Sequence, residues 1–110
     1  MTDTFSANGK TYTIQSWDGG RLNTKAHGPG TIVEPDGDTS RCTLNQGVAS
    51  GYCWGTGTKG YKEALVYNTQ GMLHGTQVYF GRWGGIFLFS YSNGEQEGSP
   101  VFGMKCTQYI

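Results

Sequence analysis

This chain of 110 residues has neither an excess of charge of one sign nor a long apolar run. Eight basic residues balance eight acidic ones, so the long-range field that draws proteins to nucleic acid is absent. We therefore expect no nucleic-acid partner and disfavour membrane lipid, because no basic patch exists to hold anionic head groups. No segment approaches the roughly 20 apolar residues that span a bilayer, and the start shows no basic, apolar leader. These features predict a cytoplasmic protein.

Cysteine is scarce as well, with three residues in the chain. An odd number favours reduced thiols over a disulfide framework. Cys42 and Cys53 lie at similar distances from a predicted turn near Gly47 and could be neighbours across a hairpin. The sequence favours two small buried apolar side chains here, with a disulfide or a metal clip as the alternative.

Helical periodicity is lacking too, because glycine interrupts every stretch long enough to show it. Glycine itself is abundant, with 19 residues, and ten of them recur at intervals of 23 or 24 residues. A fixed period of this kind indicates an internal repeat. The recurring residues form a first series (Gly28, Gly51, Gly75, Gly98), a second series (Gly37, Gly60, Gly84) and a third series (Gly47, Gly71, Gly94).

Each repeat unit reads strand, turn, strand, turn, with turn chemistry such as Pro35-Asp36-Gly37 between apolar segments. The predicted fold is all-β: an antiparallel sheet of consecutive hairpins, elongated or curled, with essentially no helix. We expect a single domain over residues 1–110. Within it, residues 1–20 form an amino-terminal hairpin cap around Asn8-Gly9, residues 21–102 form the repeats, and residues 103–110 form a carboxy-terminal strand.

The period of two residues along a strand places every second side chain on one face of the sheet. Equivalent positions of successive units then form stripes, which grow from small and polar to aromatic along the chain. The residues that share this face are Ser40, Cys42 and Leu44, then Glu63, Leu65 and Tyr67, then Phe87, Phe89 and Tyr91.

These units resemble the MORN repeat, a glycine-rich pattern that ends in a short strand and an Asp-Gly turn. Residues 28–37 match its trailing half, and residues 47–51 and 71–75 match its G-x-x-x-G element. The chain departs from the pattern at Cys53 and Gln77, where a second glycine is expected. The resemblance implies a sheet of hairpins that acts as a scaffold for proteins, lipid head groups or itself, and we set the lipid aside for want of a basic patch.

Few residues point to chemistry. His27 and His74 precede glycines of the first series two units apart, too far to ligate one metal ion in an open sheet, and we interpret them as turn residues. Glu34, Asp36 and Asp38 read as ordinary turn chemistry, with calcium as the less favoured alternative. We therefore expect no metal and no cofactor.

The aromatic residues carry the main functional hypothesis. It is a non-enzymatic interaction or scaffold protein that binds a protein partner, or a second copy of itself, through an aromatic face. Two alternatives stay open: a small-molecule-binding protein or compact enzyme that uses His74 and Glu63, and a small inhibitor of a larger enzyme. The candidate binding residues are Trp54, Tyr67, Tyr79, Phe87, Phe89 and Tyr91.

Overall fold

A computed structural model describes residues 3–81 and 84–103. Within those ranges the chain forms strands joined by tight turns and contains no helix. The strands are β1 (Asp3–Ala7), β2 (Lys10–Ile14), β3 (Ser16–Trp17), β4 (Gly20–Leu22), β5 (Lys25–Val33), β6 (Thr39–Asn45), β7 (Val48–Thr56), β8 (Lys62–Tyr67), β9 (Gly75–Phe80), β10 (Ile86–Ser92) and β11 (Glu95–Gly103).

The strands from β5 to β11 lie side by side in chain order, each antiparallel to the one before it. The sheet stays open, with β11 at one end and β3 at the other. The molecule measures 51 × 28 × 22 Å, so it is elongated along the direction in which strands are added. The predicted all-β sheet of consecutive hairpins is confirmed.

The glycine period follows from backbone geometry. All ten glycines of the three series have positive φ, from +69° at Gly98 to +98° at Gly75. Residues with a Cβ atom rarely adopt this conformation, so each unit needs glycine at these points. In the second-series turns the same pair of backbone hydrogen bonds recurs, as between Glu34 and both Gly37 and Asp38. The repeat in sequence is therefore a repeat of turns.

The amino-terminal hairpin turns at Asn8 and Gly9, with φ of 51° and 80°, as the Asn-Gly pair predicts. It does not close the end of the repeat array, where a cap is expected. It lies across the third-series turns instead: the backbone N–H of Ser6 donates to the carbonyl of Gly47, and that of Asn8 donates to Gly71. This placement gives the sheet a second layer over part of one face. We call that face the inner face.

The core lies between this hairpin and the sheet. Phe5 and Ala7 of β1 pack against inner-face residues of the repeats, including the fully buried Ile32 and Leu44. A single sheet must cover an apolar face to be stable, and the hairpin does so here. The other buried core residues are Ile14, Ala26, Cys42, Ala49, Cys53, Tyr67 and Leu73.

Cys42 and Cys53 form a disulfide, which corrects the expectation of two separate thiols. The register explains the pairing, because Arg41 lies opposite Trp54 and the next residues inward are the two cysteines. Their Cα atoms are 4.3 Å apart, close to the spacing of a non-hydrogen-bonded antiparallel pair. Cys106 and the rest of the predicted carboxy-terminal strand after Gly103 lie outside the described residues.

Candidate functional site

Strand pairing sets one row of side chains across the inner face. Ser40 lies opposite Gly55, Gly55 opposite Glu63, Glu63 opposite Tyr79, and Tyr79 opposite Phe87. Alternate residues of a strand share a face, so Phe89 and Tyr91 follow Phe87 on the same side. The stripe predicted from the sequence exists, and it grows from small to aromatic along the sheet as expected.

A cavity of about 650 Å³ lies on this part of the inner face. The hairpin bonds the third-series turns at Gly47 and Gly71. The cavity lies towards the other ends of the strands and reaches the turns at Glu34, Gly57 and Gly81. Its volume falls within the range of roughly 300 to 1,000 Å³ that is typical of ligand sites.

Aromatic rings form one side of the cavity. Tyr79 and Phe89 meet edge to face, with ring centroids 5.0 Å apart and planes at 86°. Phe87 stacks beside Phe89 at 6.4 Å and contacts Phe102 at 4.8 Å. Contacts of this kind fix the orientation of each ring, so the cavity has a preformed apolar wall.

Carboxylates line the cavity beside these rings. Glu34, Asp38 and Glu63 line the cavity, together with one basic residue, Lys62. Asp38 is already engaged, because its Oδ1 accepts a hydrogen bond of 2.9 Å from the backbone N–H of Thr58. Across the described ranges, the single ion pair joins Arg21 and Asp3, and neither Glu34 nor Glu63 has a side-chain hydrogen bond.

The surroundings disfavour charge on these two glutamates. Desolvation raises the pKa of the Glu63 carboxyl, and the nearby charge of Asp38 raises it further. Desolvation also raises the pKa of Glu34, with added repulsion from Asp36, Asp38 and Glu63. Burial raises the pKa of Tyr79 to about 12, and the Glu63 charge adds to that shift. The cavity thus holds more negative charge than its described surroundings compensate.

Four of the six candidate binding residues meet in this cavity: Tyr79, Phe87, Phe89 and Tyr91. Tyr67 lies on the same face but is 8% exposed, beneath the hairpin. Trp54 lies on the other face, 47% exposed, where its ring contacts Phe80. The expectation that Trp54 joins the stripe is therefore wrong, because its neighbours Cys53 and Gly55 occupy the inner face.

Six aromatic residues lie close together in the sequence: Tyr79, Phe80, Trp83, Phe87, Phe89 and Tyr91. Of this cluster, Trp83 lies outside the described residues. Phe80 shares the face of Trp54, so the cluster is divided between the two sides of the sheet.

The two histidines occupy equivalent positions of their repeat units, each directly before a glycine of the first series. Nδ1 of His27 accepts a hydrogen bond from the backbone N–H of Gln46 at 3.0 Å, and Nδ1 of His74 accepts one from Asn93 at 3.1 Å. Both side chains thus bond a backbone N–H at a third-series turn, but His27 itself lies within β5, so the interpretation of it as a turn residue is wrong. Glu63 lines the cavity and His74 does not, so the structure does not bring these two candidate catalytic residues together.

Sequence reasoning missed the role of Glu34 as a cavity residue. A signal existed in the repeat phase, because Glu34, Gly57 and Gly81 each precede a glycine of the second series by three residues. All three line the cavity. Aligning the units by that series would have placed Glu34 on the same edge as the aromatic wall.

No protein-family model matches the chain, and no curated protein is significantly similar to it. Within the described ranges, no three His, Cys, Asp or Glu side chains are grouped to hold a metal ion. The same ranges hold no helix of the length and apolar character that crossing a membrane requires.

Proposed function

We propose that this protein is a non-enzymatic binding module that takes a segment of a protein partner into the aromatic cavity. The observation that carries the proposal is the incomplete cover of the inner face. The hairpin buries Tyr67 but leaves Tyr79, Phe87, Phe89 and Tyr91 half-buried around an open volume. Aromatic residues dominate the binding energy of protein interfaces, and preformed rings lose little entropy on binding.

The resemblance to the MORN repeat supports the same proposal through its scaffold role, and it rests on glycine spacing and turn geometry. A second copy of the chain is the alternative occupant of the aromatic face. The disulfide bears on location, since such bonds persist in oxidising compartments. It weighs against the cytoplasmic location predicted from the sequence, and we propose a non-reducing compartment instead.

The test is selection from a random heptapeptide display library on the oxidised protein, with counter-selection on Phe89→Ala. We expect peptides that bind the wild type and lose at least tenfold in affinity on Phe89→Ala. A matched control is Tyr52→Ala, because Tyr52 is 79% exposed and does not line the cavity. If no peptide is enriched, or if the two variants bind equally, the proposal is wrong.

A small-molecule site is the second candidate, favoured by the cavity volume and by the raised pKa of Glu63, which suits a general acid. A thermal-shift screen against metabolites and sugars separates the two functions. A ligand present at 100 times its Kd adds about 2.7 kcal/mol of stability. Such a stabilisation without any selected peptide would favour this second function. An inhibitor of a larger enzyme differs from the first proposal in its partner alone.

A further inference from the structure

The lining of the cavity combines aromatic rings with carboxylates. One part of the lining is a set of fixed aromatic rings, and the neighbouring part carries glutamates that lack partners among the described residues. A purely apolar ligand would bury Glu34 and Glu63 further without compensating their charge, which is costly. An anionic ligand would add repulsion. The charge of the site therefore selects among the possible occupants.

Glu63 places a negative charge next to an aromatic ring of the cavity. The Glu63 side chain lies over Gly55. A Cβ atom added at Gly55 would lie 3.0 Å from the Glu63 Cγ, so the absence of a side chain at Gly55 leaves room for the Glu63 carboxyl group. Tyr79 lies directly opposite Glu63 on the neighbouring strand. Side chains in such cross-strand pairs have Cβ atoms about 4.5 to 5.5 Å apart. A carboxylate and an aromatic ring thus stand side by side at the cavity surface.

We propose that the cavity binds a guanidinium group, presented as an arginine side chain of the partner segment, between the carboxylates of Glu34 and Glu63 and the ring of Tyr79. This inference rests on the proposed function and names the chemistry of its ligand. A guanidinium is planar, stacks on aromatic rings and donates to two carboxylates at once. An ammonium group matches the charge but lacks the flat surface and the fork of donors.

The charged groups facing the site support a cation over a neutral ligand. Three carboxylates line the cavity against one ammonium, that of Lys62, while the whole chain is neutral. The excess is therefore local. Coulomb interactions in a partly desolvated site are screened less than those between fully exposed charges.

The test uses three pentapeptides, acetyl-Gly-Ser-X-Ser-Gly-amide, in which X is arginine, lysine or citrulline. Citrulline keeps the shape of arginine and removes its charge. Titrations followed by ¹H–¹⁵N NMR should shift the amides of Glu63, Tyr79 and Phe89. We expect the arginine peptide to bind best and the citrulline peptide at least tenfold more weakly.

Variants locate the contact. Glu63→Gln should weaken the arginine peptide at least tenfold and leave the citrulline peptide unchanged, and Glu34→Gln should act in the same direction. Glu97→Gln is the matched control, because Glu97 lies exposed on β11 and does not line the cavity. The NMR spectrum of each variant shows whether it is folded. If Glu63→Gln unfolds, Glu34→Gln replaces it as the test of the carboxylate contact. Equal affinity for arginine and citrulline, or no effect of either variant, would overturn the inference.

The outcomes for the two proposals differ. If library peptides bind through Phe89 but contain no arginine, the binding module stands and the guanidinium site falls. If no library peptide is enriched while free arginine amide shifts Glu63 and Tyr79, the guanidinium site stands and the protein-partner function falls. If neither binds, both are wrong.

Discussion

The side-chain amide of Gln77 bonds both backbone groups of Val66 on the neighbouring strand. Its Oε1 accepts from the Val66 N–H at 2.6 Å, and its Nε2 donates to the Val66 carbonyl at 3.2 Å. Gln77 is fully buried. Regular pairing of β8 with β9 covers Lys62 to Ala64 and stops before Val66. The amide thus supplies the partner that the Val66 N–H would otherwise lack, as buried polar groups require, and it shares the Val66 carbonyl with the backbone N–H of His74.

Replacing Gln77 with methionine should destabilise the protein by about 2 to 4 kcal/mol, because methionine keeps the length but removes the amide that bonds both groups of Val66. Urea unfolding measures the change. Gln96→Met is the matched control, since Gln96 is exposed and bonds a carbonyl at 3.4 Å. We expect its effect to stay within about 0.5 kcal/mol. Equal effects of the two variants would contradict this account of Gln77.

The disulfide occupies the equivalent place one unit earlier. Cys53 follows Gly51 by two residues as Gln77 follows Gly75, and each links its strand to the preceding one. Both positions depart from the glycine of the MORN pattern. The two residues are thus cross-strand links inside the core, a structural use that the spacing alone does not indicate.

Removing the disulfide by Cys42→Ala with Cys53→Ala should lower stability by about 2 to 4 kcal/mol, chiefly by freeing the unfolded chain. Denaturant unfolding of the oxidised protein against the double variant measures the loss. Cys106→Ala, which leaves the linked pair intact, should unfold like the wild type in the same experiment. Alkylation followed by mass spectrometry should find one free thiol in the folded protein, and three free thiols would refute the pairing.

Local features of the fold could be predicted from the sequence, because they depend on residues close together in the chain. The Asn8-Gly9 hairpin, the three glycine series and the shared face of Glu63, Phe87 and Phe89 all follow from turn chemistry and period-two alternation.

Long-range placement could not be predicted in the same way. The hairpin lies across the third-series turns through backbone groups of Ser6 and Asn8 and through the Asn8 side chain, whose Oδ1 accepts from the Leu73 N–H, and the sequence does not show which distant residues these groups bond. The cavity exists because this cover ends before Tyr79. The prediction for Trp54 fails because the grouping of aromatic residues by composition does not take strand register into account. Trp54 lies opposite Arg41 and Ala64, in a row of side chains on the face away from the inner face.

A glycine of the first series tests the backbone explanation of the repeat. Gly51 has φ of +70°, and a Cβ atom there would meet nothing within 4 Å, so alanine brings no clash. Gly51→Ala should still cost about 1 to 2 kcal/mol, since left-handed backbone is strained for alanine. Asparagine tolerates this conformation better and should recover part of the loss. Gly57→Ala, at a residue without positive φ, should be nearly neutral in the same urea experiment.

The Glu63 carboxyl should make the stability of the protein fall as pH rises. Desolvation and the charge of Asp38 raise its pKa in the folded state above the ordinary value of 4.5, so the folded protein binds more protons than the unfolded chain. The benefit is complete below pH 4.5 and is lost as pH rises through the raised pKa. Glu63→Gln cannot ionise, so its Tm should exceed that of the wild type at pH 7, and the difference should shrink towards pH 4. Glu97→Gln supplies the control on exposed β11.

A lower Tm for Glu63→Gln than for the wild type at pH 7 would refute the assigned desolvation. A higher Tm for Glu63→Gln, combined with weaker binding of the arginine peptide, would mean that this carboxylate is kept for its ligand at a cost in stability.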